Sequence, residues 1–291
     1  MNRQSLIRSL ILFTLSCTTV PSFASGPISG DTAPAIEPVS KVSFGDVLSL
    51  DVTHQPTLFR YGEAPSQFVE LWQPEGIVRP PVVVFIHGGC WLAEYDLSHA
   101  NAMASAFVDQ GFAVWSIEYR RVGEPGGGWP NSLSDVEAAI TAMEDFGEQL
   151  NLDRAVLSGH SAGGHLALLI SAKANYSHRF KQVFGLAPIS RLADYSMGTN
   201  SCQRATSLFM GGLPTDDAAD YRAADPSQRE LSANLTLILG ADDAIVESSY
   251  SLLESVPSTS IPNAGHFDVL HPQTQTFRSF LAQVKEQLND Q

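Results

Sequence analysis

The 291-residue chain is poor in cysteine, with three, and poor in basic residues, with 17 Lys and Arg against 31 Asp and Glu. It has no CxxC pair and no Cys/His cluster at zinc spacing, so the sequence gives no reason to expect a structural metal. A formal charge of −14 argues against nucleic acid as a partner, because phosphate contacts need clustered Lys and Arg. An acidic surface of this kind serves solubility. Long apolar runs are also missing. The one candidate, Leu10 to about Val20, falls short of the roughly 20 apolar residues that a membrane-spanning helix needs.

That short run has the layout of an export signal. Arg3 and Arg8 precede it, Ser22 and Ala24 follow it, and no acidic residue occurs before Asp31, which predicts cleavage after Ala24. A lipid anchor on Cys17 would be preceded by Thr14-Leu15-Ser16, a poor match to the usual Leu-small-small pattern. The expectation is an exported, soluble protein. Its two remaining cysteines, Cys90 and Cys202, are expected as buried, unpaired thiols, since nothing in the sequence brings them together, although an oxidising compartment would permit a bond.

Residues 25–40 read as a flexible lead-in, and residues 41–291 as one catalytic domain. Apolar residues make up 44% of the chain and alternate between two patterns. Short β-branched runs predict strands at Gln67–Trp72, Val82–Ile86, Ala113–Ile117, Ala155–Ser158, Gln182–Leu186, Leu235–Leu239 and Ser258–Ile261. Helical spacing predicts helices near Ala100–Gln110, Ser132–Gln149, Ala162–Ala174, Glu247–Ser255 and Gln273–Leu288. This alternation predicts an α/β fold with a mostly parallel sheet between helices. From about 190 to 232 no strand is evident, and that stretch is expected to be a small helical cap over the end of the sheet.

Two loops carry chemistry. Val156-Leu157-Ser158 leads into Gly159-His160-Ser161-Ala162-Gly163, a Gly-x-Ser-x-Gly between strand and helix. The glycines permit a sharp turn that exposes Ser161 at the start of a helix, where free N–H groups favour developing negative charge. Some seventy residues earlier, the run Val82–Ile86 leads into His87-Gly88-Gly89-Cys90-Trp91. Consecutive glycines there let backbone N–H groups turn toward a substrate oxygen. Gly89, Cys90 and Ala162 are the candidate oxyanion donors, each typically worth about 10²–10³ in rate.

Serine needs a base. In the fold that this turn resembles, the α/β-hydrolase, the chain order is Ser, acid, His. Of eight histidines (54, 87, 99, 160, 165, 178, 266 and 271) only His266 and His271 follow a suitable acid, and His266 sits in a loop after the last strand. His271 precedes Pro272 at the start of the terminal helix, and His160 and His165 read as packed histidines. Asp242 and Asp243 compete as the acid, while Asp268 is too close to His266 in sequence.

His87–Trp91, Glu118-Tyr119-Arg120-Arg121, Gly159–Gly164, Gly240–Val246 and Gly265-His266-Phe267 together resemble the esterase and kynurenine-formamidase-like branch of the α/β-hydrolases, over nearly all of the chain from about residue 60. The resemblance implies a Ser161–His266–Asp243 triad, because Gly240, Asp243 and Val246 match the usual Gly-x-x-Asp-x-x-Val setting of the acid. It also implies an acyl-enzyme mechanism on a small ester or amide, with no metal or organic cofactor. Position 90 departs from the pattern: esterases often have Gly there and formamidases an aromatic. Export fits poorly with intracellular tryptophan breakdown, which ranks carboxylic esters above formamides. Prolyl oligopeptidase catalytic domains are similar too, but this chain lacks the length for their propeller. A secreted peptidase, a polysaccharide-deacylating esterase and a binding protein without catalysis are the remaining alternatives. Trp91 and Trp129 are candidate pocket residues. Gly123–Pro130, glycine-rich without GxGxxG spacing, is expected as a mobile loop near the site. Oligomeric state is left open.

Overall fold

Hydrophobic alternation explains the centre of the molecule. In β3 (Pro81–Ile86), Val82, Val84 and Ile86 enter one core cluster, while Val83 and Phe85 enter another. The same split divides Ala113, Trp115 and Ile117 from Val114 in β4 (Ala113–Ile117), and Ala155 and Leu157 from Val156 in β5 (Asn151–His160). Side chains of a strand point alternately to opposite faces, so these runs need cover on both sides. Helices α3 (Asn131–Ala142) and α4 (Ala162–Ser171) cover the first face, and α2 (Asn101–Asp109) and α9 (Gln275–Leu288) the second. Helix α4 is buried on every side, as its mostly apolar sequence requires, with His165 and Ser171 bonding backbone carbonyls. Phe280 of α9 meets Phe107 and Phe184 edge-on at 5.3 and 5.4 Å.

The computed structural model describes residues 39–176 and 178–288. The expected signal sequence, Cys17 and all but the end of the lead-in lie outside them. Among the described residues the sheet has eight strands in the order β1-β2-β4-β3-β5-β6-β7-β8. The outer pairs β1 (Thr57–Arg60) with β2 (Phe68–Trp72), and β2 with β4, are antiparallel. The remainder, through β6 (Val183–Leu186), β7 (Leu235–Gly240) and β8 (Ser258–Ile261), is parallel. Since β3 has β4 on one side and β5 on the other, the chain changes direction across the sheet there. The loops leaving β3 and β5 therefore open next to one another, the usual place for a site in such sheets.

Two differences from the sequence reading have physical causes. Strand β1 went unpredicted because it is an edge strand with mostly exposed side chains, and so lacks alternation. The expected helix at Glu247–Ser255 is a single turn, α8 (Ser248–Ser251), after which Leu252 is extended. The strand-free stretch folds as α5 (Leu192–Ser196), α6 (Ser201–Met210) and α7 (Ala218–Ala224). A capping box between Asn200 and Gln203 starts α6, and left-handed Gly211 ends it. At the other end of the described chain, the short helix α1 (Phe44–Leu48) starts from a capping box between Ser43 and Asp46.

Candidate active site

Ser161 joins β5 to α4 at φ 56° and ψ −118°, a backbone that costs a non-glycine residue roughly 1–3 kcal/mol. Close packing holds it there. A Cβ on Gly163 would lie 2.1 Å from the Ile86 carbonyl oxygen and 2.3 Å from that of His87, and one on Gly159 would lie 2.2 Å from the Gly163 carbonyl oxygen. Both positions therefore require glycine for close approach, and neither has a positive φ. The Ser161 N–H donates to the Leu186 carbonyl at 2.9 Å, fixing the turn to β6. Helix α4 begins at the next residue, Ala162, so its first N–H groups face the site without helical acceptors.

After β8, His266 donates from Nδ1 to Asp243 Oδ2 at 2.6 Å, and both side chains are buried. A carboxylate only accepts, so in the neutral ring Nδ1 carries the proton and Nε2 keeps a lone pair. The other Asp243 oxygen accepts the N–H groups of Ile245 and Val246 at 2.8 and 2.9 Å. Asp242 turns outward and pairs with Lys41 at the surface. Asp268 does neither. It is fully buried and accepts the N–H groups of Gly265 at 2.6 Å, Lys41 at 2.8 Å and Val42 at 3.1 Å, fastening the His266 loop to the start of the described chain.

The loop after β3 has an unusual backbone. Gly89, Cys90 and Trp91 have φ of 102°, 54° and 57°, in the region that side chains disfavour. The amide N–H groups of Gly89 and Cys90 donate to no protein acceptor among the described residues. Cys90 is not a free thiol. It forms a disulfide with Cys202 of α6, across 112 residues, with Cα atoms 5.1 Å apart. The expectation of two unpaired thiols is therefore corrected: folding of residues 190–232 over the sheet end supplies a proximity that spacing along the chain does not encode. His87 anchors the front of the loop. Its Nε2 bonds Glu118 at 2.8 Å and its ring stacks on Tyr119. Glu118 also accepts the N–H groups of Leu97 and Tyr119 and faces Arg121. The run from Glu118 to Arg121 thus supports the loop, a role the sequence reading did not assign to it.

Ser161, His266, Gly89 and Cys90 line one cavity of about 370 Å³. Phe44, Leu92, Tyr95, Ile245 and Phe267 make its walls mainly apolar, and Asn200, Ser201 and Cys202 enter from the helical insertion. Trp91 and Trp129 are not among its lining residues, contrary to expectation. Trp91 is fully buried and stacks on Phe209 at 4.6 Å, and Trp129 packs edge-on to the same ring. The loop Gly123–Pro130 stays outside the cavity as well. Glu124 binds Arg121, Gly128 binds Ser132, and the Trp129 N–H donates to the Phe209 carbonyl, so this loop is pinned to its surroundings.

Four histidine rings run in a row from the His87 loop to His266: His87–His99 at 5.9 Å, His99–His160 at 6.4 Å and His160–His266 at 4.6 Å. Burial, reinforced by His266, holds His160 well below the ordinary imidazole range, and burial pushes His99 down to about 4. His160 Nε2 donates to the His266 carbonyl at 2.9 Å, so a neutral, packed histidine supports the loop bearing His266. His165 bonds the Ala224 carbonyl at 2.7 Å, tying α4 to α7, and burial likewise lowers it to about 4. His271 lies outside the cavity and accepts the Gln273 N–H at the entrance to α9.

Comparison with known proteins agrees with this architecture. The chain is 33% identical to Esterase LipC of Mycobacterium tuberculosis over 262 residues, which cover 77% of this chain and 64% of that one. It is 26% identical to a kynurenine formamidase of Danio rerio, over 45% of this chain and 44% of the relative. The chain thus spans less than two thirds of the length of these relatives. Among solved structures, esterase B of Lactobacillus rhamnosis superposes with a TM-score of 0.70 at 22% identity, covering 84% of this chain and 89% of the other, a likeness of fold. The BD-FAE family matches residues 70–254, from β2 past the Asp243 loop, and the chain belongs to that family, on an α/β-hydrolase fold.

Proposed function

We propose that this protein is a serine hydrolase that cleaves carboxylic esters of small, largely neutral substrates. The observation that carries the reading is the Nδ1–H bond from His266 to buried Asp243, in a cavity that Ser161 also lines. His266 Nε2 takes the hydroxyl proton as Ser161 attacks the ester carbonyl. The N–H groups of Gly89, Cys90 and Ala162 stabilise the oxyanion, and His266 returns the proton to the leaving alcohol. Water then repeats the cycle on the acyl-enzyme. The apolar walls favour an uncharged acyl group, and the names of the relatives LipC and esterase B support an ester as substrate.

Export is part of the proposal. Its support is the basic-then-apolar start of the chain and the Cys90–Cys202 bond, which persists in an oxidising compartment. The formamidase relative supplies a second reading with the same chemistry. One experiment tests both: purified protein is assayed on an ester chain-length series beside N-formylkynurenine, with Ser161→Ala in parallel. The reading expects faster turnover of short esters than of the formamide, loss of turnover in Ser161→Ala, and fluorophosphonate labelling at Ser161 alone. Unchanged ester turnover in Ser161→Ala overturns it.

A further inference from the structure

The loop at 89–91 closes on itself through one backbone bond, from the Leu92 N–H to the Gly89 carbonyl at 2.9 Å. Cys90 and Trp91 are consecutive non-glycine residues in the left-handed region, and such a backbone persists only where its surroundings fix it. The sheet side holds the far end: the Trp91 carbonyl accepts the Val122 N–H at 2.8 Å, and the Ala93 N–H donates to the Val122 carbonyl at 3.0 Å. His165 of α4 meets the Trp91 ring edge-on at 5.3 Å, and α6 holds both residues. Cys202 bonds Cys90, and Phe209 lies parallel to Trp91 at 4.6 Å and 15°. Positions 202 and 209 are seven apart, two helical turns, and so share one face. That face also receives the Trp129 N–H at the Phe209 carbonyl.

We propose that α6 is a brace that aims the Gly89 and Cys90 amides, with the Cys90–Cys202 disulfide and the Trp91–Phe209 stack as its two attachments. Cys202 and Phe209 are then positioning residues for oxyanion stabilisation, acting through the loop without touching the reacting atoms. The inference rests on the acyl-transfer reading above. It also accounts for a cysteine at position 90, whose backbone serves the site while its side chain fastens the backbone.

The test compares wild type, Cys90→Ala/Cys202→Ala, Phe209→Leu and Ser161→Ala on a short-chain ester, below the melting temperature of each. A loop that loses its aim weakens transition-state binding more than substrate binding. The disulfide-free variant is expected to lose at least about tenfold in kcat, with KM within about threefold. Its affinity for a trifluoromethyl ketone, whose adduct carries the oxyanion, falls in step with kcat. Phe209→Leu, which keeps the disulfide, moves the same quantities less. If the disulfide-free variant is folded, with wild-type kcat and ketone affinity, the brace is overturned while an inactive Ser161→Ala leaves the acyl-transfer reading standing. Turnover by Ser161→Ala overturns both. If the disulfide-free variant fails to fold, Phe209→Leu decides: kcat and ketone affinity equal to wild type overturn the brace.

Discussion

The two walls of the cavity are held by different means. The wall bearing Ser161, Asp243 and His266 is built from loops that leave the parallel strands β5, β7 and β8, and it is secured close at hand: Gly159 under the carbonyl of Gly163, and Asp243 on the N–H groups of Ile245 and Val246. The wall at 89–91 is secured from far along the chain, by Glu118 behind His87 and by Cys202 and Phe209 of α6. The first kind of support is written in short motifs, and the second arises only when distant segments meet. On the acyl-transfer reading, the side chains proposed to react are thus held locally, while the brace proposal makes the placement of the Gly89 and Cys90 amides depend on the helical insertion.

The largest test of that contrast removes a local support. Asp243→Asn keeps the size of the side chain but favours the wrong His266 tautomer. In the serine-protease triad the equivalent change lowers kcat about 10⁴-fold, and a similar loss is expected here, with KM little changed in steady-state kinetics. Next comes Gly163→Ala. The new Cβ meets the backbone carbonyls of Ile86, the last residue of β3, and of His87 after it, which cannot yield without moving the sheet, so a destabilisation of about 3 kcal/mol or more is expected by urea unfolding. A variant that unfolds like wild type shows that the turn tolerates a shift, and weakens the claim that the Ser161 wall is locally rigid.

Legibility in the sequence follows the same division. Strands β3 to β7 were readable because burial on both faces leaves unbroken apolar runs, and Ser161 and His266 because they sit in strand-flanking loops in a fixed order. Choosing Asp243 over Asp242 needed the family spacing, since two adjacent carboxylates look alike until one meets Lys41 and the other His266. Strand β1 was hidden by its exposure. The Cys90–Cys202 bond, the stack of Trp91 on Phe209 and the grip of Glu118 on His87 were not legible, because each joins segments whose separation carries no pattern. The Glu118–Arg121 motif was visible as a likeness without a role. Trp91 was misassigned to the pocket because adjacency to Cys90 in sequence does not fix which way a side chain turns once the backbone enters the left-handed region.

A smaller effect probes the joint between the sheet and the insertion. His165 is buried, bonded to the Ala224 carbonyl, and lowered by burial from 6.5 to about 4. The unfolded chain therefore takes up a proton below about pH 6.5 that the folded chain refuses until about pH 4. Folding stability from this group is complete above pH 6.5 and declines as pH falls, by about 2 kcal/mol at pH 5. His165→Gln removes that proton from the balance. Urea midpoints measured from pH 7 to pH 5 should fall less steeply for the variant than for wild type. Equal slopes in the two proteins exclude His165 as a source of acid sensitivity and leave the other histidines that burial holds below the ordinary range, His99 and His160, to supply it.

The smallest expected effect is the sharpest control on the Ser161 wall. Asp242 neighbours Asp243 in sequence, yet its carboxylate faces solvent and pairs with Lys41, itself exposed. An exposed pair of this kind contributes at most about 1 kcal/mol and often nothing measurable. Asp242→Asn is therefore expected to leave kcat and KM within about twofold of wild type and to shift stability by less than about 0.5 kcal/mol, lost further at high salt. Set beside Asp243→Asn, it separates charge in the loop from the bond to His266, because both variants remove one negative charge at nearly the same place. A large fall in kcat for Asp242→Asn shows that the loop's charge acts at a distance, and that the 2.6 Å bond at Asp243 is not what sets Asp243 apart.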